Sequence, residues 1–425
     1  MDIDAALAYL NGRATYATTG RIDSPSLERI SALCAAMGDP QHAAPVIHVT
    51  GTNGKGSTVQ MIAALLAAKG LTVGTYTSPH LERINERITR NGEAISDEDL
   101  AEQIAAIADL EALLGIEPSY FEIVTAAAFR WFADVAVDAL VVEVGLLGRW
   151  DATNVVDATV AVVTNIGLDH TEFAGPTLEH IAREKSGIIT PRSAAIVGET
   201  RPELVEIFRA ADAATTLVRG DDFDVVANSL AVGGRLVDLR TPTTIYPDVY
   251  VPLNGWHQGQ NAAVALTAAE TFFAAPLGDD AVTEGFAEVT VPGRFEILGR
   301  QPLVVIDGAH NPAGADVAAQ VFFDDFQPEG RRLLVVGTLR PPDDMLAALR
   351  ADEFDIVFAA TAPSPRGVPA ADVARAARDL GCDIVVAFDT VEDACRRALD
   401  YADGEDAILA TGSLYTAGAA RPVFA

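Results

Sequence analysis

Short apolar runs alternate with longer stretches of helical periodicity along the first part of the chain. The apolar runs are rich in β-branched residues and comprise residues 46–49, 71–75, 139–144 and 158–163. Apolar side chains recur at helical spacing in residues 57–69 and 97–114. Apolar strands that alternate with helices are typical of a parallel sheet covered on both faces. The pattern therefore predicts an α/β fold, whereas the irregular, Gly- and Thr-rich residues 193–251 favour antiparallel strands.

A second alternating series follows residues 291–294 and indicates a further α/β domain. Its predicted strands are residues 303–306, 333–336, 356–359, 384–387 and 407–410. Its predicted helices are residues 313–323, 343–349, 370–380 and 391–401. We therefore expect a mostly parallel sheet domain in residues 1–297 and a smaller, Rossmann-like α/β domain in residues 298–425.

Charge and composition narrow the range of functions. The 425-residue chain has 60 acidic and 30 basic residues, a formal net charge of −30, and 49% hydrophobic residues. Such a surface repels nucleic acid and anionic membranes, so we expect neither as a partner. The hydrophobic content is sufficient for a large core. An acidic, lysine-poor surface is typical of a halophilic cytoplasm, where salt screens the repulsion between charges.

Other features favour a cytoplasmic protein, which we expect to be a monomer. The chain opens with acidic residues where a secretory signal would carry a basic patch. No apolar run reaches the ~18 residues that would span a bilayer. Cys34, Cys382 and Cys395 form no metal-binding spacing, and we expect them to be reduced, buried thiols.

Lysine is scarce in this chain, and two of its lysines lie where phosphate chemistry would use them. Lys55, Lys69 and Lys185 are the only lysines among the 30 basic residues. Arginine is planar and always charged, whereas lysine is a compact cation that can lose its proton. A lysine retained in such a chain is therefore predicted to have a role that arginine cannot fill. Lys69 has an ordinary interpretation, because a cation near a helix C-terminus offsets the helix dipole.

A glycine-rich turn between a predicted strand and a predicted helix forms the strongest motif. Its residues are Gly51, Thr52, Asn53, Gly54, Lys55, Gly56 and Ser57. In such a turn, backbone N–H groups and the helix N-terminus face a phosphate group, and the lysine reaches the outer phosphates. The usual P-loop has Ser or Thr directly after the lysine, whereas here a glycine intervenes. The motif predicts a P-loop-containing domain that binds a nucleotide, and the alternative is a turn that only caps the helix.

Polar residues at the ends of other predicted strands could join this phosphate site. Glu143 ends a buried strand, where its carboxylate needs either a cationic side chain or Mg²⁺ as a partner. His170 follows the next predicted strand and could face the nucleotide, although a single histidine is more often structural. Ser78 and His80 also follow a predicted strand, and Ser78 could supply a hydroxyl group to a cation.

Together these motifs resemble the folylpolyglutamate synthase and dihydrofolate synthase family, which is related to the muramyl peptide ligases. The matching segments follow the family's order and are residues 48–58, 77–81, 121–122, 143–145, 149–154, 167–170, 184–189, 292–294, 307–312 and 412–415. Residues 149–154 and 307–312 favour the folate branch over the muramyl peptide ligases. Cyanophycin synthetases are similar here but have a large additional N-terminal part.

The resemblance implies an ATP-dependent, ADP-forming amide ligase. A carboxylate of a pteroate or folate would be phosphorylated by ATP, and the amine of L-glutamate would attack the acyl phosphate. The nucleotide contacts that it implies are the phosphate loop, Asn261, Arg294 and Asp307. The Mg²⁺ ligands that it implies are Ser78, Glu143, His170 and Lys185, with K⁺ as a further candidate ion. Lys185 matches a lysine that carries a carbamate, whose anionic oxygens would bind Mg²⁺ where an ammonium group would repel it.

The same resemblance implies the substrate contacts. His310 and Ser413 match residues of the second domain that contact the incoming glutamate, and with Lys55 and Lys185 they are the expected catalytic residues. Phe121, Glu122, Asp151 and Ala152 match a pterin-side pocket, in which an aromatic ring stacks and a carboxylate accepts pterin N–H bonds. The alternatives are core packing for Phe121, a turn or helix cap for Asp151, and a surface ion pair with Glu184 for Lys185.

The chain departs from the family pattern at Leu147, where glycine is usual, and at Trp150, where an aliphatic residue is common. We expect a reshaped pocket loop that affects the preference between pteroate and folate more than the ligase chemistry. Two alternative functions are a ligase of the same superfamily for another carboxylate acceptor and a non-catalytic P-loop nucleotide-binding protein. The second alternative leaves Lys185 and His310 without a role.

Overall fold

The computed structural model describes residues 1–13 and 26–425, which fold into two compact units. The first unit comprises Met1–Ser229, Leu236–Pro252 and Gln258–Val289. The second unit comprises Leu230–Arg235, Leu253–His257 and Thr290–Ala425. The predicted boundary at residue 297 lies inside the strand Glu296–Arg300, which belongs wholly to the second unit.

The first unit is built on a large, mostly parallel sheet. Its strands are β1 (Val46–Thr50), β2 (Val73–Tyr76), β3 (Ile88–Arg90), β4 (Glu93–Ala94), β5 (Ala139–Glu143), β6 (Ala158–Val163), β7 (Ala194–Val197) and β8 (Thr215–Val218). In the described residues they form an eight-stranded sheet in the order β4-β3-β2-β5-β1-β6-β7-β8. Strand β1 is buried along its length and pairs in parallel with β5 and β6. The polar residues that follow these central strands therefore lie at one edge of the sheet.

Helices and helical turns connect and cover these strands. The α-helices are α1 (Ile3–Asn11), α2 (Glu28–Ala36), α3 (Lys55–Ala68), α4 (Asp97–Leu114), α5 (Tyr120–Asp134), α6 (Thr171–Ala174), α7 (Leu178–Lys185), α8 (Pro202–Arg209), α9 (His257–Phe273) and α10 (Asp279–Ala287). The 3₁₀ turns are Pro40–His42, Ile84–Arg87, Ala152–Val155 and Ser186–Ile188. Helix α4 has the predicted bounds because Ser96 caps its first turn, and Gly115 ends it in the left-handed region at φ 65°.

The prediction for residues 193–251 was right only in its second half. Strands β7 and β8, with α8 between them, extend the parallel sheet, because each adds an apolar run beside its neighbour. A separate three-stranded sheet begins later, with β9 (Asp224–Ala231), β10 (Gly234–Arg240) and β11 (Ile245–Val251) in the order β11-β10-β9. The short connections between these strands require antiparallel pairing.

The second unit contains a separate sheet with helices packed against it. Its strands are β12 (Glu296–Arg300), β13 (Leu303–Ile306), β14 (Arg332–Val336), β15 (Ile356–Ala360), β16 (Val385–Phe388) and β17 (Ala407–Thr411). Its helices are α11 (Pro312–Gln320), α12 (Asp343–Ala348), α13 (Ala370–Leu380), α14 (Val391–Tyr401) and α15 (Leu414–Phe424), and α11 continues as a π-helical turn, Val321–Phe326. In the part of the chain that is described, the six-stranded sheet has the order β12-β13-β17-β14-β15-β16, with only β12 antiparallel to its neighbour. The predicted α/β fold class is confirmed for both units.

Across residues 1–13 and 26–425, no helix combines the length and the apolar character needed to cross a membrane.

Candidate active site

The phosphate loop connects β1 to α3, and two of its glycines are required by close contacts. Gly51 has φ 149°, and a Cβ there would lie 1.8 Å from the Thr164 hydroxyl oxygen. Gly54 has φ 79°, and a Cβ there would lie 2.6 Å from Asn261 Oδ1. A side chain at either position would collide with these neighbours and strain the backbone. The Asn261 amide therefore packs directly against the loop, as expected for one of the nucleotide contacts.

The loop after β6 supports the phosphate loop from behind. The Thr52 N–H group donates to the Asn165 carbonyl, and the Asn53 N–H group donates to Asn165 Oδ1, both at 2.9 Å. The Gly167 N–H group donates to the Thr52 hydroxyl at 2.8 Å, and Thr164 donates to the Asn53 carbonyl at 2.6 Å. These bonds fix the conformation of the phosphate loop before any nucleotide binds.

An ion pair that the sequence analysis missed holds this supporting loop. The buried Glu199 carboxylate accepts the Ile166 N–H group at 3.0 Å, and Arg201 donates to both Glu199 and the Ile166 carbonyl. Burial raises the pKa of Glu199, but hydrogen bonds from Arg201 outweigh that effect, so the net pKa lies below its usual value. The available signal was an acidic residue two positions after the apolar run 194–197, which the sequence analysis did not assign to the parallel sheet.

Lys55 and Glu143 lie at the start of α3. The Lys55 ammonium group donates to the Gly51 and Thr52 carbonyls, each at 3.2 Å, so it is folded over the loop. The buried Glu143 carboxylate lies close to Gly56, since a Cβ on Gly56 would be 3.7 Å from Glu143 Oε2. The same oxygen accepts the Ser78 N–H group at 3.1 Å. The structure thus brings Ser78 and Glu143 together beside the helix N-terminus.

Lys185 is buried at the end of α7, with only 5% of its surface exposed. Its ammonium group donates to the Leu146 carbonyl at 3.2 Å and to the Leu147 carbonyl at 3.5 Å. Burial and, to a smaller extent, the nearby charge of Lys55 lower the pKa of Lys185 to about 7, although nearby carboxylates oppose the shift. The surface ion pair considered for Lys185 is therefore wrong, because the lysine is buried.

His170 follows β6 at the same edge of the sheet. Its backbone is left-handed at φ 50°, and its Nε2 atom lies 3.6 Å from the buried carboxylate of Asp169. The charge of Asp169 also acts on Lys185, which places the two side chains in one neighbourhood. Among the described residues, no three His, Cys, Asp or Glu side chains converge closely enough to hold a metal ion alone. The hydroxyl of Ser78 and the carboxylate of Glu143 nevertheless suit Mg²⁺, which prefers few protein oxygens and keeps several waters or phosphate oxygens.

The predicted acceptor pocket contains an aromatic ring at the end of β5. Phe121 lies against Gly145, where a Cβ would be 2.5 Å from Phe121 Cζ. Its ring centroid is 6.0 Å from that of Tyr76. Ala152 is buried in the turn Ala152–Val155. The structure therefore brings Phe121 next to the strand that carries Glu143.

The two predicted pocket carboxylates both have structural partners. Glu122 accepts the Ser119 N–H group at 2.7 Å in a capping box and pairs with Arg29 at 3.0 Å. Asp151 accepts the Leu146 N–H group at 3.0 Å and the Thr153 hydroxyl at 2.7 Å, so the turn or cap interpretation describes it well. A pterin contact from either carboxylate stays a prediction.

The loop that departs from the family pattern is packed against the residues around Lys185. A Cβ on Gly148 would lie 2.5 Å from the Glu184 carbonyl, so glycine is required at this position. Leu147 is buried and, unlike the left-handed residues of the described chain, has a negative φ, so its side chain causes no backbone strain. Trp150 is 47% exposed, and its backbone N–H group donates to the Glu184 carboxylate at 3.2 Å.

In the second unit, the predicted site residues Asp307 and His310 follow β13. Asp307 accepts the N–H groups of Phe295 at 2.9 Å and Ala309 at 2.8 Å. Burial raises the pKa of Asp307, and the nearby Arg294 guanidinium opposes that shift. The His310 Nδ1–H group donates to the Gly308 carbonyl at 3.1 Å.

Ser413 has a structural role in the second unit. It is fully buried, and its hydroxyl caps α15 by accepting the Thr416 N–H group at 3.0 Å. The same hydroxyl lies 2.8 Å from the Thr416 hydroxyl and 3.3 Å from the Gly337 carbonyl. A direct contact between Ser413 and glutamate stays a prediction.

Two protein families and a set of relatives match the chain. The Mur ligase middle domain matches residues 49–269, and the Mur ligase glutamate ligase domain matches residues 293–414. The dihydrofolate synthase/folylpolyglutamate synthase of Mycobacterium tuberculosis is 40% identical over 447 residues. That alignment covers 95% of this chain and 91% of the relative.

Solved structures of relatives share the fold. Mycobacterium tuberculosis folylpolyglutamate synthase complexed with ADP has a TM-score of 0.92 at 40% identity, covering 100% of this chain and 99% of that one. E. coli FolC in complex with DHPP and ADP has a TM-score of 0.88 at 32% identity, covering 100% and 97%. The bifunctional synthase of Yersinia pestis complexed with AMPPNP and Mn ion has a TM-score of 0.85 at 31% identity, covering 98% and 97%.

The fold and the phosphate loop define an ATP-dependent ligase of the Mur type. More narrowly, the chain belongs to the folylpolyglutamate synthase/dihydrofolate synthase family, whose members are ADP-forming ligases. The predicted family and enzyme class are thereby confirmed, and the non-catalytic nucleotide-binding alternative is not supported.

Proposed function

We propose that this chain joins L-glutamate to a folate, and also to dihydropteroate, through an acyl phosphate. The acceptor carboxylate attacks the γ-phosphorus of ATP and releases ADP. The amine of glutamate then attacks the acyl carbon, loses a proton and displaces phosphate, which leaves an amide bond. The observation that carries this proposal is the phosphate loop with Glu143 and the buried, weakly basic Lys185 in its neighbourhood.

The first unit, on this proposal, binds the nucleotide. The N–H groups at the start of α3 and the Lys55 ammonium group would contact the outer phosphates, where negative charge moves during transfer. Without a nucleotide, the Lys55 ammonium group donates to the Gly51 and Thr52 carbonyls. Phosphate oxygens would replace these carbonyls as the acceptors. Thr52, Asn53, Gly54, Gly56, Ser57 and Asn261 complete the proposed nucleotide contacts in this unit. Arg294 and Asp307 are the proposed contacts from the second unit.

Ser78, Glu143, His170 and a carbamate on Lys185 would hold a Mg²⁺ ion. The hydroxyl and carboxylate oxygens of this set suit the ion, and K⁺ is a further candidate. When bound, Mg²⁺ would neutralise charge on the phosphoryl group that is transferred. Lys185 must be neutral to react with CO₂, and its lowered pKa of about 7 supports this modification at neutral pH.

Phe121 and Ala152 are the proposed contacts for the pterin side of the acceptor. The Phe121 ring lies on Gly145, at the end of the strand that carries Glu143, so a stacked pterin would leave its carboxyl group near the phosphate loop. Glu122 and Asp151 would help by holding the helix start and the turn that shape this pocket. Their carboxylates would also accept pterin N–H bonds.

The second unit is the proposed glutamate-binding part, and its His310 can be tested separately. Replacement of His310 by Ala is expected to raise the KM for L-glutamate roughly ten-fold or more, because an imidazole that contacts a charged substrate is lost. The KM for ATP should change little. Steady-state kinetics with each substrate varied in turn measure both constants, and Asp316→Ala on α11 is the surface control. Equal changes in both KM values would argue against a glutamate contact.

One assay tests the proposed function as a whole. ADP release is measured with dihydropteroate, tetrahydrofolate or a muramyl precursor, each with and without L-glutamate. Glutamate-dependent release with the first two acceptors supports the proposal, whereas release only with the muramyl precursor would support another ligase. We further propose a monomeric, cytoplasmic enzyme adapted to salt, because screening reduces repulsion on a chain of charge −30. The assay is therefore run in low salt and in molar KCl, and activity that falls in KCl would contradict the adaptation.

A further inference from the structure

Arg87 stands out because its charge is buried without a carboxylate partner in the described part of the chain. Arg87 and Arg235 are the buried arginines of the described residues, with 8% and 6% of their surfaces exposed. Arg235 pairs with Asp325 at 3.2 Å, as a buried cation usually must. In residues 1–13 and 26–425, no carboxylate pairs with Arg87. An anionic group from a ligand would supply the missing partner.

The neighbours of Arg87 are neutral or already engaged. The Arg87 Nε–H group donates to His80 Nδ1 at 2.9 Å, and the guanidinium carbon lies 5.5 Å from the centre of the Tyr120 ring. Because His80 Nδ1 accepts this bond, the proton of the imidazole lies on Nε2. The adjacent Glu86 carboxylate accepts the backbone N–H groups of residues 81–83. Arg87 therefore keeps Nη donors for a ligand, with His80 Nε2–H as another donor beside them.

Arg87 is also close to the phosphate site. It directly precedes β3, which pairs with β2, and its carbonyl accepts the Thr77 N–H group at 2.9 Å. The next residue along that strand end is Ser78, whose N–H group binds Glu143. Tyr76, which pairs with Phe121, is the last residue of β2, and the charge of Arg87 acts on its hydroxyl group.

We propose that Arg87 binds the non-reacting α-carboxylate of an acceptor that already carries glutamate, an inference that rests on the ligase activity proposed above. The reacting γ-carboxylate must reach ATP at the start of α3. The α-carboxylate of the same glutamyl residue is a few bonds away, and Arg87 lies across the strand pair from Thr77, the neighbour of Ser78. A planar guanidinium can bind a carboxylate through two parallel hydrogen bonds. Dihydropteroate has no such second carboxylate, so Arg87 would favour folates over dihydropteroate.

The proposal is tested by removing the Arg87 guanidinium group and the α-carboxylate of the acceptor separately. The acceptors are tetrahydrofolate, the analogue in which γ-aminobutyrate replaces glutamate and so lacks the α-carboxylate, and dihydropteroate. Arg87→Gln is expected to raise the KM for tetrahydrofolate roughly ten- to hundred-fold, because a charge-assisted hydrogen-bond pair is lost. The KM values for the analogue, for dihydropteroate and for ATP should change by no more than about two-fold. Arg87→Lys keeps the positive charge but loses the planar guanidinium group. Its KM for tetrahydrofolate should therefore lie between those of the wild-type enzyme and Arg87→Gln.

Two controls separate binding from structural support. Arg83→Gln removes a 65% exposed arginine of the same segment, whose ion pair with Asp97 lies at the surface, and should change no KM. Thermal unfolding of each variant reports any loss of fold, which would raise the KM for all three acceptors together. In the wild-type enzyme, loss of the α-carboxylate should itself raise the KM for the acceptor, and this difference should vanish in Arg87→Gln.

Distinct results would overturn the proposal. Equal changes with tetrahydrofolate and dihydropteroate would give Arg87 a structural role or a role at the reacting carboxylate. A wild-type enzyme that accepts the γ-aminobutyrate analogue as well as tetrahydrofolate would show that no residue recognises the α-carboxylate. A wild-type enzyme that ligates glutamate to none of these acceptors would instead refute the proposed function, which distinguishes the two failures.

Discussion

Replacement of Lys55 by Ala is expected to reduce ADP release at least about a hundred-fold while the protein stays folded. Lys55 is the cation of the phosphate loop, and loss of a group that stabilises transition-state charge typically costs this much. In the folded protein its ammonium group makes two hydrogen bonds to loop carbonyls, at 3.2 Å each. Their loss should lower the unfolding temperature only slightly, because the loop is also held by Asn165 and Thr164.

The matched control is Lys69→Ala, at the other end of the same helix. Lys69 is exposed and donates to the Leu277 carbonyl at 3.2 Å, away from the phosphate loop. Its replacement should leave ADP release and the KM for ATP unchanged. If Lys55→Ala retained the activity of the Lys69 control, the glycine-rich turn would be only a helix cap, and the phosphate site would have to be sought elsewhere.

The phosphate loop could be predicted from the sequence because its determinants are local. The strand, the glycines, the lysine and the helix follow each other within a few residues. Gly51 and Gly54 have positive φ values, which glycine adopts without strain. Most parallel strands were equally clear, since each is a short apolar run, but β7 and β8 lay in residues that were predicted to form antiparallel strands. Strand β12 was missed because it is a half-buried edge strand of mixed composition beside the predicted boundary.

Side-chain pairing between distant positions could not be predicted in the same way. Glu122 was assigned to the pterin, yet its carboxylate pairs with Arg29, which lies in a segment without any motif. Ser413 was assigned to glutamate, yet its hydroxyl caps α15, because the residue before a helix is also the position where serine caps best. Arg87 attracted no attention in the sequence, since the absence of a carboxylate around it depends on how β2, β3 and α5 pack together.

Lys185 is the other position where a single substitution should nearly abolish activity, and arginine should be no better than alanine. Arginine keeps a positive charge but cannot lose its proton, so it cannot form a carbamate. Lys185→Ala and Lys185→Arg should both lose at least about a hundred-fold in ADP release. Arginine is also too large for the site, where the lysine is 5% exposed and donates to the carbonyls of Leu146 and Leu147. Thermal unfolding of both variants is therefore measured beside activity.

Chemical rescue separates a carbamate from a simple cation at this position. A short carboxylic acid added to Lys185→Ala can occupy the space of the lost side chain and supply anionic oxygens, so partial recovery of ADP release is expected. The wild-type enzyme and the Lys69→Ala control should not respond to the acid.

The pKa of Lys185, lowered to about 7 by burial and by Lys55, leaves much of the amine neutral at pH 7–8. Below that range the protonated amine cannot react with CO₂, so bicarbonate should stimulate CO₂-depleted enzyme at pH 8 more than at pH 6. Near-normal activity of Lys185→Arg would show that only positive charge is needed there, and the carbamate would be excluded.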